Sequence, residues 1–135
     1  MPVIIAAFDN PEDITGPHFR GKIFRFPVTV IDRNDLGTPR QVSKSISFHI
    51  RADISRSRLT TWSLKEGDLI KVMFEIAKEN LISAISSGIW NGEDIDVQIN
   101  THTYKGTCPF NPSLIQEPTG AVLEIEVKRP IGFIV

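Results

Sequence analysis

The apolar positions between Ser63 and Gly88 recur at the spacing of an amphipathic helix, so this segment predicts the one long helix of the chain. Ser63 and Glu66 match the capping box with which many helices begin, and Gly88 follows the last apolar position, where a glycine commonly ends a helix. At about 100° per residue, the apolar side chains form two neighbouring stripes that together span roughly 200° of the helix surface. A flat sheet covers a narrower arc, so the pattern predicts either a sheet that curls around the helix or a second covering element.

The first stripe includes one polar residue, Asn80. A side chain at that position is expected to be buried, and a buried amide needs hydrogen-bond partners. We therefore expect a satisfied core asparagine or a local kink in preference to a ligand contact. The first stripe consists of Leu69, Val72, Met73, Ile76, Ala77 and Ala84, and the second of Ile70, Phe74, Leu81 and Ile85.

Three segments before the helix have the patterns of β-strands. Residues 3–8 form a continuous apolar run, which is typical of a central strand covered on both faces. Residues 22–31 and 42–54 alternate apolar and polar side chains, and they predict two strands that pair as a hairpin. Pro27 lies within the first of these, and because proline cannot donate to a β-ladder it predicts an edge strand or a bulge.

Two further alternating segments follow the helix, at residues 94–102 and 122–128. The element order is therefore β-β-β-α-β-β. This order predicts an α+β fold in which a mainly antiparallel, curved sheet of five to six strands, barrel-like in its extreme form, packs on one long helix. With 135 residues, 41% of them hydrophobic and 23% charged, the chain suits one globular domain, and we assign residues 1–135 to it. The C-terminal PIGFIV is apolar enough to predict packing on the core or on a neighbouring subunit.

Several features of the composition bear on location. The sequence has no run of 18 or more apolar residues, so no membrane span is expected. The first residues, MPVIIAAFDN, lack the basic region of a secretion signal. Cys108 is the single cysteine, which excludes an internal disulfide and a multi-cysteine zinc site and is typical of a reducing compartment. We therefore expect a cytoplasmic protein.

The net charge of −1 conceals an uneven distribution. Residues 20–58 hold nine Lys or Arg and three Asp, a balance of +6, whereas the remainder holds six basic and thirteen acidic residues, a balance of −7. The outer face of the predicted hairpin carries Arg25, His49 and Arg51, which are candidate anion-binding residues. The charge split, the wide apolar arc and the apolar tail together favour a protein partner, with a homodimer as the first choice. Two solvated faces without a partner would also explain the charge split.

The segment 104–120 is where we first expect a small-molecule site. It has three prolines and no periodicity, and compact domains seldom keep a loop of this length without a use for it. The candidate ligand-binding residues here are Tyr104, Cys108 and Phe110, with His102 just before them.

The dipeptide Cys108-Pro109 resembles the short cysteine-proline motif of some haem-responsive proteins. That resemblance implies a cysteine thiolate as ligand of a haem iron, with His102 or Met73 as the second axial ligand. The alternative is a proline that fixes a loop turn beside a half-buried thiol.

The element order is also that of the oligonucleotide- or oligosaccharide-binding barrel, which places a helix between its third and fourth strands. This resemblance rests on element order and on no sequence motif. It implies a nucleic acid that lies across the second and third strands and stacks on exposed aromatic rings. The aromatic residues of those strands, however, fall on the face that we assign to the core: Phe24, Phe26 and Phe48.

No phosphate-binding glycine loop, nucleophile elbow or metalloprotease motif occurs in the sequence, and we assign no catalytic and no metal-binding residues. The sequence therefore predicts a non-catalytic binding or regulatory module that acts through a protein or ligand interface. The alternative is a small-ligand or haem-binding domain that uses the 104–120 loop. A barrel-like sheet that binds single-stranded nucleic acid is the third hypothesis.

Overall fold

The computed structural model describes residues 3–33, 45–87 and 92–126. Six strands, two α-helices and one short 3-10 helix make up this part of the chain. In chain order they are β1 (Val3–Phe8), β2 (Glu12–Asp13), β3 (Gly21–Arg33), β4 (Ser45–Ser55), α1 (Arg56–Trp62), α2 (Glu66–Ser86), β5 (Ile95–Ile99), the 3-10 helix (Pro112–Leu114) and β6 (Val122–Glu126).

One sheet in the order β5-β4-β3-β1-β6, with β2 beside β3, curls around α2 as a half-barrel. The predicted α+β class, the curved sheet and the long helix are confirmed. The sheet is mixed because β4 and β5 pair in parallel, whereas every other pair is antiparallel. The two helices carry the chain from the end of β4 back to the start of β5, which is the crossover that a parallel pair requires.

The predicted hairpin is formed by β3 and β4, which pair one residue to one residue from Gly21–Ser55 to Ile31–Ser45. Its inner face is apolar and buried, as the alternation predicts, and includes the three phenylalanines assigned to the core. In β1 the inner side chains are buried but Ile5 and Ala7 on the outer face are only half-buried, so this strand is covered on one face of the described structure. The buried inner residues of the three strands are Ile4, Ala6, Phe8, Phe24, Phe26, Val28, Val30, Phe48, Ile50, Ala52 and Ile54.

The edge strand predicted from Pro27 is wrong, whereas a one-residue irregularity does lie opposite it: the register along β3 shifts by one residue between the Phe8–Val28 pair with β1 and the Glu12–Arg25 pair with β2. β3 lies in the interior of the sheet, and its unbroken register with β4 contains no bulge. The Pro27 carbonyl accepts a hydrogen bond from the Asp9 amide at 3.1 Å, on the side of β3 that faces β1. Because the nitrogen and carbonyl of one strand residue point to the same side, the missing N–H faces the gap between the end of β1 at Phe8 and the start of β2 at Glu12.

The helix α2 buries members of both apolar stripes, including Met73, Phe74 and Leu81. The curled sheet surrounds one side of α2, and residues 104–120 run from one sheet edge to the other, since they connect β5 to β6. We call residues 104–120 the strap. Its 3-10 helix contacts α2, and Glu117 pairs with Lys71 of α2 at 3.3 Å. The wide apolar arc is therefore enclosed by the sheet together with the strap.

The capping box predicted at Ser63 and Glu66 is wrong. Residues 56–62 form a separate helix, α1, and Ser63 ends it in the left-handed conformation with φ 48°. The Ser63 amide donates to the Leu59 carbonyl at 3.0 Å, as in a helix C-cap. Lys65 precedes α2 without a side-chain capping bond, and Gly88 lies outside the described residues.

Asn80 is half-buried, and its side-chain amide donates to the Ile76 carbonyl one turn earlier at 2.8 Å. The expected hydrogen bond is thus made within α2 itself. The C-terminal PIGFIV falls outside the described residues. In the described ranges, neither α1 nor α2 is long and apolar enough to cross a membrane.

Candidate functional site

The candidate anion-binding residues do come together on the outer face of the hairpin. Arg25 lies directly opposite Arg51, and His49 lies opposite Pro27, one step along the same face. Two arginines at opposed positions repel each other unless they are compensated.

Each of these basic side chains has a carboxylate beside it. Arg25 binds Glu12 through Nε at 2.9 Å and also through Nη2. Arg51 Nη1 lies 3.1 Å from Oδ2 of the buried Asp53. Just before β5, Asp94 accepts the backbone N–H of His49 at 2.9 Å, and its Oδ1 lies 3.9 Å from His49 Nδ1. An anion would therefore have to displace a carboxylate to reach these arginines.

The uneven charge distribution along the sequence is partly balanced within the fold. In addition to the Arg25–Glu12 pair, Lys22 of the basic segment lies 3.6 Å from Asp13 and 3.9 Å from Glu66. Acidic residues from outside residues 20–58 thus meet basic residues from inside it. The uneven charge distribution is therefore a weaker argument for a second subunit, because basic and acidic residues of the same chain form ion pairs with each other.

The candidate ligand-binding residues of the strap pack inward. Tyr104, Cys108 and Phe110 are half-buried against the hydrophobic core. Burial, with a smaller contribution from nearby Glu79, raises the pKa of Tyr104. The strap therefore covers part of the core, and its apolar side chains pack against the core residues.

The haem hypothesis requires Cys108 to share a site with His102 or Met73. Cys108 is half-buried and its thiol donates to the Phe110 carbonyl at 3.3 Å, whereas Met73 is fully buried in the core and His102 is exposed. The described residues contain no group of three His, Cys, Asp or Glu side chains placed to hold a metal ion. The structure thus gives the three haem candidates different environments.

The strap backbone is attached at both ends: the Gly120 amide donates to the Phe8 carbonyl of β1 at 3.1 Å, and Gly106 near the start is bound by side chains of α1. The Gly106 carbonyl accepts hydrogen bonds from Arg58 Nη1 at 2.9 Å and from the Trp62 indole N–H at 3.2 Å. The Trp62 and Tyr104 rings meet edge to face, with centroids 6.1 Å apart. Among the described residues, the backbone bonds of 107–119 are local turns.

Sequence reasoning missed Arg58, the most unusual polar residue of the structure. Its side chain is only 5% exposed, and its Nε has no hydrogen-bond partner in the described part of the chain. The signal lies in the spacing from Arg58 to Trp62, which places both side chains on one face of a helix. That spacing has meaning only once residues 56–62 are known to be helical.

At the β6 edge, an exposed apolar side chain stands on a strand that has one neighbour in the described part of the sheet. Among the described residues β6 pairs with β1 alone, and Val122 at its start is 56% exposed. In the sheet register Val122 lies beside Ala7, while Glu124 and Ile31 both lie beside Ile5. We call the half-buried or exposed group Ile5, Ala7, Ile31 and Val122 the outer apolar patch.

The opposite edge, β5, is polar. Its outward side chains are Asp96 and Gln98, the exposed Asp94 directly precedes it, and the Gln98 carbonyl accepts the Thr103 hydroxyl at 3.1 Å. Charges and a partly occupied backbone are the usual protection of an edge strand against pairing. Both edge strands carry exposed carboxylates, since Glu124 and Glu126 are exposed on β6, but of the two described strands β6 is the one with an exposed apolar side chain, Val122.

Comparisons of the chain with protein-family models, with curated proteins and with solved structures gave no match.

Proposed function

We propose that the protein is a non-catalytic binding module that takes an extended segment of a partner protein along the edge of β6. The observation that carries this proposal is the edge of β6, which pairs with β1 alone among the described residues and lies next to the outer apolar patch. An extended segment that adds to a sheet edge gains main-chain hydrogen bonds, and alternate side chains supply the specificity.

The charges on β6 select the chemistry of the partner. Glu124 and Glu126 are exposed on the same face of β6 as Val122. A segment with Lys or Arg opposite the two glutamates and an apolar residue opposite Val122 would complement this surface. The expected partner is therefore an extended segment whose outward residues are basic or apolar.

The homodimer favoured by the sequence is a second form of this proposal, with another copy of the chain as the partner. Self-pairing is opposed by charge, since β6 exposes Glu124 and Glu126, and Asp96 of β5 and the preceding Asp94 are exposed at the other edge. Either edge would bring acidic side chains toward acidic side chains. A basic segment from a different protein is the occupant that these charges favour.

The test is a titration of the full chain with a synthetic eight-residue peptide that alternates lysine and valine, against one that alternates glutamate and valine. Binding is measured by calorimetry, and the contact residues are located by amide chemical shifts. We expect the lysine peptide to bind and to shift β6 and β1 resonances. Glu124→Gln should weaken its affinity by about five-fold, because one compensating charge is lost.

Asp96→Asn is the matched control, since it removes one exposed carboxylate from the outer face of the other edge strand. It should leave the affinity within about two-fold of that of the unsubstituted protein. Equal binding of the glutamate peptide, or an equal effect of the two substitutions, would contradict the proposal. Light scattering adds a separate outcome: a stable dimer that does not bind the peptide would identify a second copy as the occupant and overturn the basic-segment proposal.

The haem alternative has its own test. It predicts a Soret band that shifts and saturates at one equivalent of added hemin, and that changes when Cys108 is replaced by alanine. Cys108→Ala removes only the weak thiol bond to Phe110, so the variant should fold normally. A hemin spectrum that is the same for both proteins would eliminate thiolate ligation.

Single-stranded nucleic acid remains the third hypothesis, and a cytoplasmic location remains part of the proposal. Phe24, Phe26 and Phe48 are buried on the inner face of the described sheet, so they offer bases nothing to stack on. Binding through Arg25 and Arg51 alone would be electrostatic and would weaken steeply with salt.

A further inference from the structure

Arg58 is a buried cation whose charge is not matched nearby. Among the described residues no carboxylate lies within ion-pair distance of it, and its one hydrogen bond is from Nη1 to the Gly106 carbonyl. The guanidinium lies over the Trp62 ring, 5.9 Å from its centroid. Burying a charge without a partner of opposite sign is costly, and such groups are generally paired or functional. Arg58 therefore calls for an explanation beyond the packing of α1.

Arg25 illustrates how the edge of a guanidinium formed by Nε and Nη2 binds an anionic group. Its Nε and Nη2 both donate to one carboxylate oxygen, Oε2 of Glu12. In Arg58 the Nη1 side is used by Gly106, while Nε, on the edge that Arg25 uses, has no acceptor among the described residues. That edge matches a planar carboxylate or a phosphate with two parallel hydrogen bonds.

We infer that Arg58 is the cationic anchor of a binding site for the carboxylate or phosphate group of a small molecule, located between α1 and the start of the strap. The Trp62 ring lies under the guanidinium and itself meets the Tyr104 ring edge to face, so Trp62 would contact the carbon skeleton of the ligand first. This site lies apart from β6 and does not depend on the peptide-binding proposal.

The strap supplies the entry route. Arg58 Nε is fully covered in this conformation, so a ligand can reach it only if a neighbouring segment moves. We assign that movement to the strap, because its Gly106 carbonyl is bound to Nη1 of the same guanidinium. Gly106 has φ 83°, and beyond it the backbone bonds of residues 107–119 are local turns in the described structure. A segment held mainly by side-chain contacts opens at a lower cost than the sheet or the helix does. Anion binding is thus expected to be coupled to displacement of the strap.

The experiment measures the thermal unfolding midpoint of the full chain in sodium phosphate and in sodium benzoate, each against sodium chloride of equal ionic strength. A ligand that binds the native state raises the midpoint by about 3–5 °C at about ten times its dissociation constant. A rise with phosphate alone identifies a phosphate ligand, a rise with benzoate alone a carboxylate, and a rise with both an oxyanion site of broad specificity. No rise with either up to about 50 mM overturns the proposal.

Three variants assign the effect to Arg58. Arg58→Met should lose the ligand-dependent rise, and Arg58→Lys, which keeps the charge without the fork, should weaken it at least about ten-fold in affinity. Arg25→Met is the matched control, because that arginine is already paired and should leave the rise unchanged. If Arg58→Met fails to fold, the anion-dependent rise measured for Arg58→Lys tests the assignment by itself. The assignment would be overturned if the midpoint of Arg58→Lys rose with the anion as much as that of the unsubstituted protein. It would also be overturned if Arg25→Met lost as much of the anion-dependent rise as Arg58→Met.

Discussion

Gly21 occupies the position where the first residue of β3 meets the end of β4. Its φ is 149°, and a Cβ built on it would lie 2.0 Å from the backbone carbonyl oxygen of Ile54. Backbone atoms in a paired strand cannot move away as a flexible side chain can. A side chain at this position would therefore force the two strands apart.

Gly21→Ala is expected to lower the free energy of unfolding by about 2–4 kcal/mol, measured by urea denaturation. Gly16→Ala is the control, because a Cβ at Gly16 meets no atom within 4 Å. That variant should change the stability by less than about 0.5 kcal/mol. Similar losses in both variants would show that chain flexibility, and not the contact with Ile54, sets the requirement for glycine.

Asp13 gives the protein a pH dependence at the residue scale. Its carboxylate accepts the Thr15 hydroxyl at 2.6 Å and the Thr15 amide at 3.0 Å. These bonds, the hydroxyl first, and the charge of Lys22 hold the pKa of Asp13 below its usual value of 3.8. The Thr15 oxygen in turn accepts the Ile23 amide at 3.0 Å, so the carboxylate helps to fix the segment before β3.

Because the folded pKa of Asp13 is lowered, its stabilising effect is present above pH 3.8 and is lost as the pH falls through the folded value. Asp13→Asn should therefore be less stable than the unsubstituted protein at pH 6, and the difference should shrink on acidification to below pH 3. Urea unfolding at both pH values measures it. A constant difference would mean that Asp13 acts without its charge.

At the scale of elements, the short helix α1 changes the role of Ser63. A serine that precedes a long segment of helical apolar spacing predicts an N-cap. In the structure Ser63 instead ends the preceding helix, with φ 48°. Non-glycine residues pay a steric cost in this left-handed conformation. Ser63 also donates through its hydroxyl to the Thr60 carbonyl at 3.0 Å, which offsets part of that cost.

Ser63→Gly is expected to stabilise the protein by up to about 1 kcal/mol, because glycine adopts the left-handed conformation freely. Ser63→Ala should destabilise it by about 0.5–1 kcal/mol, since it keeps the Cβ and loses the hydroxyl bond. Guanidinium unfolding of the two variants compares them directly. A loss of stability in the glycine variant as large as that in the alanine variant would indicate that the hydroxyl, and not the backbone conformation, dominates at this position.

At the scale of the whole molecule, the wide apolar arc of α2 is enclosed within one chain. Phe74 of the second stripe is fully buried, and its ring lies 4.8 Å from that of Phe8 and 5.8 Å from that of Phe26. Those partners come from β1 and β3, on the inner face of the sheet. The strength of this packing should therefore not depend on a second subunit.

Phe74→Ala is expected to cost about 3–5 kcal/mol, by the loss of buried area and the cavity left behind. Ile82 of the same helix is 40% exposed, and Ile82→Ala should cost less than about 1 kcal/mol. Both losses should be independent of protein concentration, as measured by unfolding at low and high micromolar concentrations. A midpoint that rises with concentration would show that a partner covers part of the arc.

The periodicity of the chain was sufficient to predict α2, the β3–β4 hairpin, its inward residues and the α+β class, because each depends on spacing within one segment. Other features depend on which segments meet. The Gly106 carbonyl meets Arg58 across 48 residues, Pro27 is tolerated because of where β1 ends, and β5 runs parallel to β4 because two helices precede it. Local spacing carries no information about such contacts, because they form only when the sheet curls and the strap joins its edges.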